Sequence, residues 1–314
     1  MLCILAMTFC GCGKNDYAFE YSKNHHTSSF NIISSTTPQT AATFASDLCV
    51  VTADIASSNF AVEEESAAGL FDVRNNTVIY AKDANEMLYP ASLTKVMTAL
   101  VALKNANVED ILVATDAVKI NERGATLIGL KSGDTMTLNQ ALHILLINSS
   151  NDVANLIAEN VAGDVESFVN MMNEEAIRLG ATNTNFTNPH GLSDSNHYTT
   201  VYDMYLIFNE ATKYDIFNEI IHMQSYETVY YDSRGREKEV DISTTNMFLR
   251  GNYTAPNNMT IVGGKTGTTD MSGHCLIMLA KDTSGNPYIG VILRASSRDL
   301  INKEMVQMLS EINK

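Results

Sequence analysis

The sequence is poor in positive charge. Lysine and arginine supply 21 of its 314 residues against 36 aspartates and glutamates, so the formal net charge is −15 at pH 7. Phosphate backbones attract basic surfaces, so this balance and the lack of a basic stripe argue against nucleic acid as a partner. Because 45% of the residues are hydrophobic, we expect a globular protein with a large core, arranged as one large or two modest domains.

Cysteines and long apolar runs are also scarce. Three of the five cysteines lie within residues 1–12, which leaves Cys49 and Cys275 in the body of the chain. These two thiols could pair in an oxidising compartment. We expect Cys49 in a tether and Cys275 in a core strand, where a thiol is more often a small apolar filler. No run after Lys14 is long enough to cross a membrane.

Residues 1–12 form a predicted leader. Residues 2–9 are nearly all apolar and have the length of a signal-peptide hydrophobic region, although the basic residues that usually precede one are missing. They lead into Gly11-Cys12, which resembles the lipobox of bacterial lipoproteins, although Phe9 and Cys10 depart from its preferred residues. We predict export, with a lipid on Cys12 that holds the protein at the outer face of the cytoplasmic membrane. A plain secretion signal that leaves a soluble protein is the alternative.

A polar segment follows the leader. Residues 13–60 are rich in Ser, Thr, Asn and Ala and show little periodicity, which is typical of a flexible tether. A random chain of about 45 residues has a root-mean-square reach of roughly 35–40 Å. We expect residues 61–314 to form the folded domain.

Periodicity within this domain predicts sheet at both ends and helices between them. Residues 68–73 and 77–81, joined by an Asn-rich turn, form a predicted hairpin. Thr137 is a candidate cap for the first predicted helix. We expect an α/β fold of the α+β type, with a sheet region, a mostly helical region and the active site in the cleft between them. Further strands are predicted at 273–280 and 288–293, and helices at 138–146, 153–162, 166–179, 201–212 and 301–312.

Ser92 and Lys95 are a candidate nucleophile and base. Pro90 and Ala91 precede Ser92 at the predicted start of a helix, so Lys95 lies one turn later on the same face. A lysine can take a serine proton only when its amine is neutral. Its pKa must therefore fall from about 10.4 through burial and a nearby cation, for which Lys265 is the candidate. Taken alone, the pair would more often be a helix cap followed by an exposed lysine, and the two partner motifs below reverse this preference.

Ser149 and Asn151 lie in a break between two predicted helices. A loop there could direct both side chains into a cleft, where the serine relays a proton to a leaving amine and the amide holds a substrate carbonyl. Taken alone, the same residues are also typical of an ordinary turn with no catalytic role.

A third motif, Lys265-Thr266-Gly267-Thr268, lies on a predicted strand. Lys265 and Thr266 can bind a carboxylate, and Gly267 lets a substrate backbone approach closely. The backbone N–H groups of Ser92 and Thr268 are candidate donors to a developing oxyanion. A phosphate-binding loop is the competing interpretation, but its Gly-x-x-x-x-Gly-Lys-Ser/Thr spacing is absent.

Other catalytic patterns are missing from the body of the chain. It contains no Gly-x-Ser-x-Gly, no His-Glu-x-x-His and no Cys-x-x-Cys. We therefore expect His190 and His197 to be structural, and we predict neither a metal nor a cofactor.

In this order the three motifs resemble those of the D-alanyl-D-alanine carboxypeptidases, the low-molecular-mass penicillin-binding proteins of the β-lactamase/transpeptidase-like superfamily. The similarity runs from about Ala67 to the end of the chain. Residues 124–127, 130–134 and 188–192 also match family signatures. The resemblance implies an antiparallel sheet flanked by helices.

It also implies catalytic roles. Ser92 would be the acylated nucleophile and Lys95 its base, and Ser149 and Asn151 would form the second catalytic element.

The remaining implied roles concern substrate binding. Lys265 and Thr266 would hold the substrate, and Thr268 would supply the second oxyanion N–H, at a position where relatives often have an aromatic residue or a histidine. An arginine before the last helix would bind the terminal carboxylate. Arg298 is the best positional match, and Arg294 is the alternative.

The resemblance implies a serine D,D-carboxypeptidase that removes the terminal D-alanine from peptidoglycan stem pentapeptides through an acyl-enzyme, with β-lactams as covalent inhibitors. A class A-like β-lactamase is one alternative, but it would need a Glu-x-x-Leu-Asn loop, which is absent. A catalytically silent cell-wall-binding homologue is the other. Such a protein would have lost a catalytic residue, and none is missing.

Overall fold

The computed structural model describes residues 47–313, all within the compact unit Ala45–Lys314. Short 3-10 turns at Ala91–Leu93, Asp116–Val118 and Ser310–Asn313 supplement the regular elements. In chain order those elements are β1 (Ala67–Asp72), β2 (Thr77–Lys82), α1 (Thr94–Asn105), β3 (Ile111–Val113), β4 (Thr135–Thr137), α2 (Leu138–Ile147), α3 (Asn151–Ala162), α4 (Val165–Leu179), α5 (Val201–Ala211), α6 (Asp215–His222), β5 (Ser225–Tyr231), β6 (Glu237–Ser243), β7 (Met259–Thr269), β8 (Gly273–Asp282), β9 (Pro287–Ala295) and α7 (Arg298–Leu309).

A five-stranded antiparallel sheet forms the centre of the domain, in the order β2-β1-β9-β8-β7. Strands β1 and β2 form the predicted hairpin. Asn76, in the turn between them, has a left-handed φ of 54°, a conformation that asparagine tolerates better than most residues. The last three strands come from the other end of the chain. The prediction that both ends of the domain supply one sheet is confirmed, as is the α+β fold.

Alternate residues of this sheet face two different layers. On one face Phe71 stacks on Tyr205 of α5, with 4.1 Å between ring centroids, and the sheet joins the core of the helical region. On the other face Ile292 packs with Met305 and Met308 of α7. The sheet is therefore buried on both sides, and β7 forms one of its edges.

The helical region begins with α1, whose first nine residues are all buried. The predicted helices α2 to α5 are present. Thr137 caps α2 as predicted, within a capping box in which Gln140 bonds back to the Thr137 N–H. The prediction missed α6 and a second sheet, in the order β3-β4-β5-β6.

The folded part of the chain begins earlier than the expected tether boundary at residue 60. Cys49 is fully buried, its backbone N–H donates to the Tyr205 hydroxyl at 3.1 Å, and Ile55 pairs with Ala81 beside β2. Composition indicated a flexible segment, but packing against the sheet orders it. Cys49 and Cys275 are both free thiols.

The leader, the candidate lipidation site Cys12 and most of the expected tether lie outside the described residues. Among the helices of residues 47–313, none has the length and apolar character needed to cross a membrane.

Candidate active site

The candidate nucleophile lies in a tight turn at the front of α1. Ser92 is the middle residue of the 3-10 turn Ala91–Leu93, and α1 follows at Thr94. The expected helix start at Ser92 is therefore corrected to a 3-10 turn that leads into the helix. Ala91 has a left-handed φ of 47°, which is a strained conformation for a residue with a Cβ atom. The turn directs Ser92 into a cleft, and its Oγ lies 3.0 Å from Lys95 Nζ.

Lys95 is completely buried and has three polar neighbours. Its Nζ lies 3.0 Å from Ser92 Oγ, 2.7 Å from Asn151 Oδ1 and 2.6 Å from the backbone carbonyl of His190. The amide and carbonyl oxygens can only accept hydrogen bonds. When the amine is neutral, its two N–H bonds go to those oxygens and its lone pair is left for the Ser92 hydroxyl.

Electrostatics favour this neutral amine. Burial, followed by the charge of Lys265, holds the pKa of Lys95 well below its usual value, and the Asp152 carboxylate opposes the shift. Lys265 is also buried, and burial lowers its pKa to about 7. The charge of Lys265 thus disfavours the charged form of Lys95, as expected from the sequence.

The loop between α2 and α3 contacts both lysines. Ser149 has a left-handed φ of 67°, and its Oγ accepts a hydrogen bond from Lys265 Nζ at 3.0 Å. Asn151 begins α3 and contacts Lys95. Its backbone N–H is held by the Thr126 carbonyl at 2.8 Å. The structure therefore brings together the three motifs that the sequence placed far apart.

His190 contributes its backbone carbonyl to the site, a role that its side-chain type did not predict. Its carbonyl accepts from Lys95, and the loop that carries it packs under the nucleophile turn. Gly191 has a φ of 84°, and a Cβ atom there would stand 1.9 Å from the Ala91 carbonyl oxygen. Only glycine fits this contact. Burial and the charge of Lys95 lower the pKa of the His190 imidazole to about 3.

Gly267 lies in close contact with the nucleophile turn. A Cβ atom on Gly267 would stand 3.0 Å from Ala91 Cβ, from the Pro90 carbonyl oxygen and from the Ser92 nitrogen. The structure shows close approach of β7 to the nucleophile turn, and the expected close approach of a substrate backbone stays a prediction. The glycine thereby holds the Ser92 N–H beside the strand that carries Thr268.

The cleft in front of Ser92 has a volume of about 170 Å³. Arg298, at the start of α7, lines it. Arg294 instead pairs with Glu86 through both terminal nitrogens, at 2.8 and 3.1 Å, and lines a separate cavity. The cleft is lined by Ser92, Ser149, Thr245, Met247, Arg250, Thr266, Gly267, Thr268, His274, Cys275, Leu276, Arg298, Ile301 and Asn302.

Sequence reasoning missed Thr245, Arg250 and His274 as lining residues. Thr245 Oγ1 lies 2.6 Å from Thr266 Oγ1, and His274 Nδ1 lies 3.1 Å from Thr268 Oγ1. No motif marks these residues, because only the fold brings them to the cleft. Within residues 47–313 there is no group of three or more His, Cys, Asp or Glu side chains arranged to hold a metal ion.

Comparison with known proteins gives consistent matches. A family model for the D-alanyl-D-alanine carboxypeptidases, peptidase S11, matches residues 54–297. D-alanyl-D-alanine carboxypeptidase DacF of Bacillus subtilis is 33% identical over 78% of this chain and 61% of its own length. D-alanyl-D-alanine carboxypeptidase DacC of Escherichia coli is 32% identical over 77% of this chain and 59% of its own length. The chain therefore spans about three fifths of the length of these curated relatives.

A solved structure has the same fold. The crystal structure of the Streptomyces K15 DD-transpeptidase superposes with a TM-score of 0.71 at 25% sequence identity, covering 78% of this chain and 95% of that one.

Proposed function

The chain belongs to the D-alanyl-D-alanine carboxypeptidase family, peptidase S11, and from this premise we propose that it is a serine D,D-carboxypeptidase. It removes the terminal D-alanine from peptidoglycan stem pentapeptides through an acyl-enzyme. The observation that carries the proposal is the buried Lys95 amine 3.0 Å from Ser92 Oγ, with its other two polar contacts made to oxygens that can only accept hydrogen bonds.

Acylation begins when Ser92 Oγ attacks the carbonyl carbon of the penultimate D-alanine. The hydroxyl proton passes to the neutral Lys95 amine as the Oγ–C bond forms. The N–H groups of Ser92 and Thr268 stabilise the oxyanion. When the C–N bond breaks, the proton taken up by Lys95 passes through Ser149 to the leaving nitrogen, which makes Lys95 neutral again, and D-alanine departs with its carboxylate.

Deacylation uses the same groups in reverse. Lys95, neutral again, takes a proton from a water molecule that attacks the ester carbonyl. The ester C–O bond breaks, the proton returns to Ser92 Oγ, and the shortened peptide leaves as a carboxylic acid.

Substrate binding uses the rest of the cleft. Lys265, Thr266 and Arg298 bind the terminal carboxylate, because they supply two cations and a hydroxyl at one end of the cleft. Asn151 uses Oδ1 on Lys95, which leaves its NH₂ group to donate to a substrate carbonyl. No cofactor takes part in this mechanism.

β-Lactams are proposed to acylate Ser92 in place of the peptide. The rival β-lactamase function needs a carboxylate that activates the deacylating water, and the lining of the described cleft contains no aspartate or glutamate. The rival of a silent homologue is disfavoured because the proposed catalytic side chains are present and in contact.

The direct test uses purified full-length protein and a peptide that ends in D-Ala-D-Ala, with released D-alanine measured by mass spectrometry. Release by wild type and none by Ser92→Ala is the expected result. A fluorescent penicillin should label Ser92 alone. Ser195→Ala, which changes an exposed serine outside the cleft, is the matched control and should be labelled normally. No released D-alanine from folded wild type, or a label on another serine, contradicts the proposal.

We further propose that the protein acts outside the cytoplasm, held at the outer face of the cytoplasmic membrane through a lipid on Cys12. The support is the apolar run at residues 2–9 followed by Gly11-Cys12. One acyl chain binds a membrane only marginally, so a stable anchor needs more than one. Fractionation of cells that express wild type or Cys12→Ala tests this. Equal recovery of both proteins in the membrane, or of both in the medium, contradicts it.

A further inference from the structure

The candidate active-site cleft has more positive charge than one carboxylate requires. Its lining includes the guanidinium groups of Arg250 and Arg298 but no aspartate or glutamate, although acidic residues outnumber lysines and arginines by 36 to 21 in the chain. Lys265 adds a further basic group, since its Nζ contacts Ser149 in the lining.

The two guanidinium groups are uncompensated. Within the described part of the chain, neither the Arg250 nor the Arg298 side chain forms a hydrogen bond or an ion pair. Asp299, which directly follows Arg298, is already bound by the Tyr253 hydroxyl and by Lys303, each at 2.6 Å. Burial, and after it the charge of Arg298, lowers the pKa of His274. The charge of Arg298 therefore acts on a side chain that lines the cleft.

Arg250 is carried by a loop that is tied to the carboxylate end of the cleft. Thr245 in this loop contacts Thr266 at 2.6 Å, and the buried Asn246 side chain accepts from the Phe248 N–H at 3.0 Å. Phe248 anchors the loop in the core beside α7. The Tyr253 contact to Asp299 then joins the loop to the start of α7, next to Arg298.

We infer that Arg250 is a specificity-determining residue that binds a second carboxylate on the leaving group. This inference rests on the proposed function, in which Thr266 and Arg298 bind the α-carboxylate of the leaving residue. We place Arg250 on the same side of the scissile bond, because it lines the same cleft and Thr245 of its loop contacts Thr266. The favoured substrates are peptides whose leaving group carries two carboxylates, as an acidic D-amino acid does. The reaction is unchanged, and both carboxylates depart with the released amine.

The test compares two substrates that differ only in charge. Peptides that end in D-Ala-D-Glu and D-Ala-D-Gln have leaving residues of nearly equal size, so the ratio of their kcat/KM values reports the second carboxylate. Because Arg250 is exposed, we expect wild type to favour D-Glu about fivefold at low salt, with the preference falling as salt is added. Arg250→Met should bring the ratio to about one, and Arg250→Lys should retain part of it.

Arg234→Met is the matched control, since Arg234 is an exposed arginine between β5 and β6 and does not line the cleft. It should keep the wild-type ratio. Binding of both peptides to Ser92→Ala protein, measured by calorimetry, gives the same comparison without turnover.

The outcomes separate this inference from the proposed function. If D-Ala-D-Ala is hydrolysed but wild type does not favour D-Glu, or if Arg250→Met keeps the preference, the role of Arg250 is wrong and the proposed function stands. If folded wild type hydrolyses none of the three peptides, the proposed function fails and the inference fails with it.

Discussion

His197 Nε2 lies 2.8 Å from the hydroxyl of Thr94, the first residue of α1. The other ring nitrogen accepts the Thr187 N–H at 3.0 Å, so the ring proton is on Nε2 and is donated to Thr94. Thr94 in turn donates to the Ala91 carbonyl at 2.8 Å. A neutral histidine therefore supports the strained residue that precedes Ser92. Protonation would place a proton on Nδ1, so that two N–H donors, those of His197 and Thr187, would face each other.

This arrangement predicts a loss of stability in acid. Burial lowers the pKa of His197 from 6.5 to about 4, whereas in the unfolded chain it returns to its ordinary value. The stabilising contribution is therefore complete above about pH 6.5 and is lost as the pH falls toward 4. The free energy of unfolding should drop by roughly 3 kcal/mol over this range through His197 alone.

Urea unfolding of wild type and His197→Gln at several pH values measures this contribution. His190, with a pKa of about 3, is present in both proteins, so the difference between them isolates His197. The stability advantage of wild type should be large at pH 7.5 and small at pH 4. An advantage that does not change with pH would show that folding does not lower the pKa of His197.

The buried lysines predict a bell-shaped pH profile for kcat/KM. Lys95 must be neutral to act as base, so activity rises as the pH passes upward through its lowered pKa. Lys265 must be charged to attract the carboxylate, and its pKa is about 7. Activity should therefore decline above about pH 7, mainly through a rise in KM.

Lys265→Arg tests the alkaline limb, because an arginine stays charged throughout this range. The decline should move to higher pH in this variant, even if its maximum activity is lower. Lys95→Ala should instead reduce kcat and acylation at every pH. Near-normal acylation in Lys95→Ala would exclude Lys95 as the base.

The sequence predicted those parts of the fold and site that depend on local pattern. The helix α2 with its Thr137 cap follows from apolar spacing and one side-chain contact, and the Ser92 to Lys95 spacing places both groups on one helical turn. The central sheet could be anticipated because β8 and β9 are long and apolar. In each case the information lies within about a dozen neighbouring residues.

The features that sequence reasoning missed depend on contacts between distant segments. Strands β3 and β4 have three residues each, which is too short for a visible alternation. The carbonyl of His190 serves Lys95 through the main chain, so no side-chain type identifies it. Cys49 lies in a segment whose composition suggests a tether, yet the fold buries it completely.

The contact between β7 and the nucleophile turn predicts the effect of Gly267→Ala. The added methyl group would stand 3.0 Å from Ala91, Pro90 and Ser92 atoms, and the backbone on both sides has little freedom to yield. Overpacking of this kind costs about 1–3 kcal/mol of folding free energy. Since the displaced group is the nucleophile turn, acylation by a fluorescent penicillin should slow by at least about tenfold, which is about 1.4 kcal/mol of activation free energy.

Gly290→Ala is the control for this prediction. Its added Cβ atom would stand 2.8 Å from Met305 Sδ, on the α7 side of the sheet. We expect this variant to lose stability while the folded fraction acylates at the wild-type rate. Equal slowing in both variants would mean that the Gly267 effect is a general consequence of destabilisation.

The persistence of a penicilloyl-enzyme depends on whether any carboxylate can activate water. Asp152 is the acidic residue next to the catalytic loop, but it is buried and already engaged. Its Oδ2 accepts the Gly129 and Leu130 N–H groups at 2.8 and 3.1 Å, and its Oδ1 accepts that of Val153 at 3.0 Å. It therefore holds a loop in place and is unavailable as a base.

We accordingly predict that benzylpenicillin acylates Ser92 and that the penicilloyl-enzyme is hydrolysed slowly. Its turnover number should lie below about 0.1 per second, against roughly 10 per second for a typical enzyme reaction. Intact-mass spectrometry after a single addition of drug follows the adduct over time, and Ser92→Ala should show none. Turnover near 10 per second would place the protein with the β-lactamases, and it would require a water-activating group in addition to Lys95.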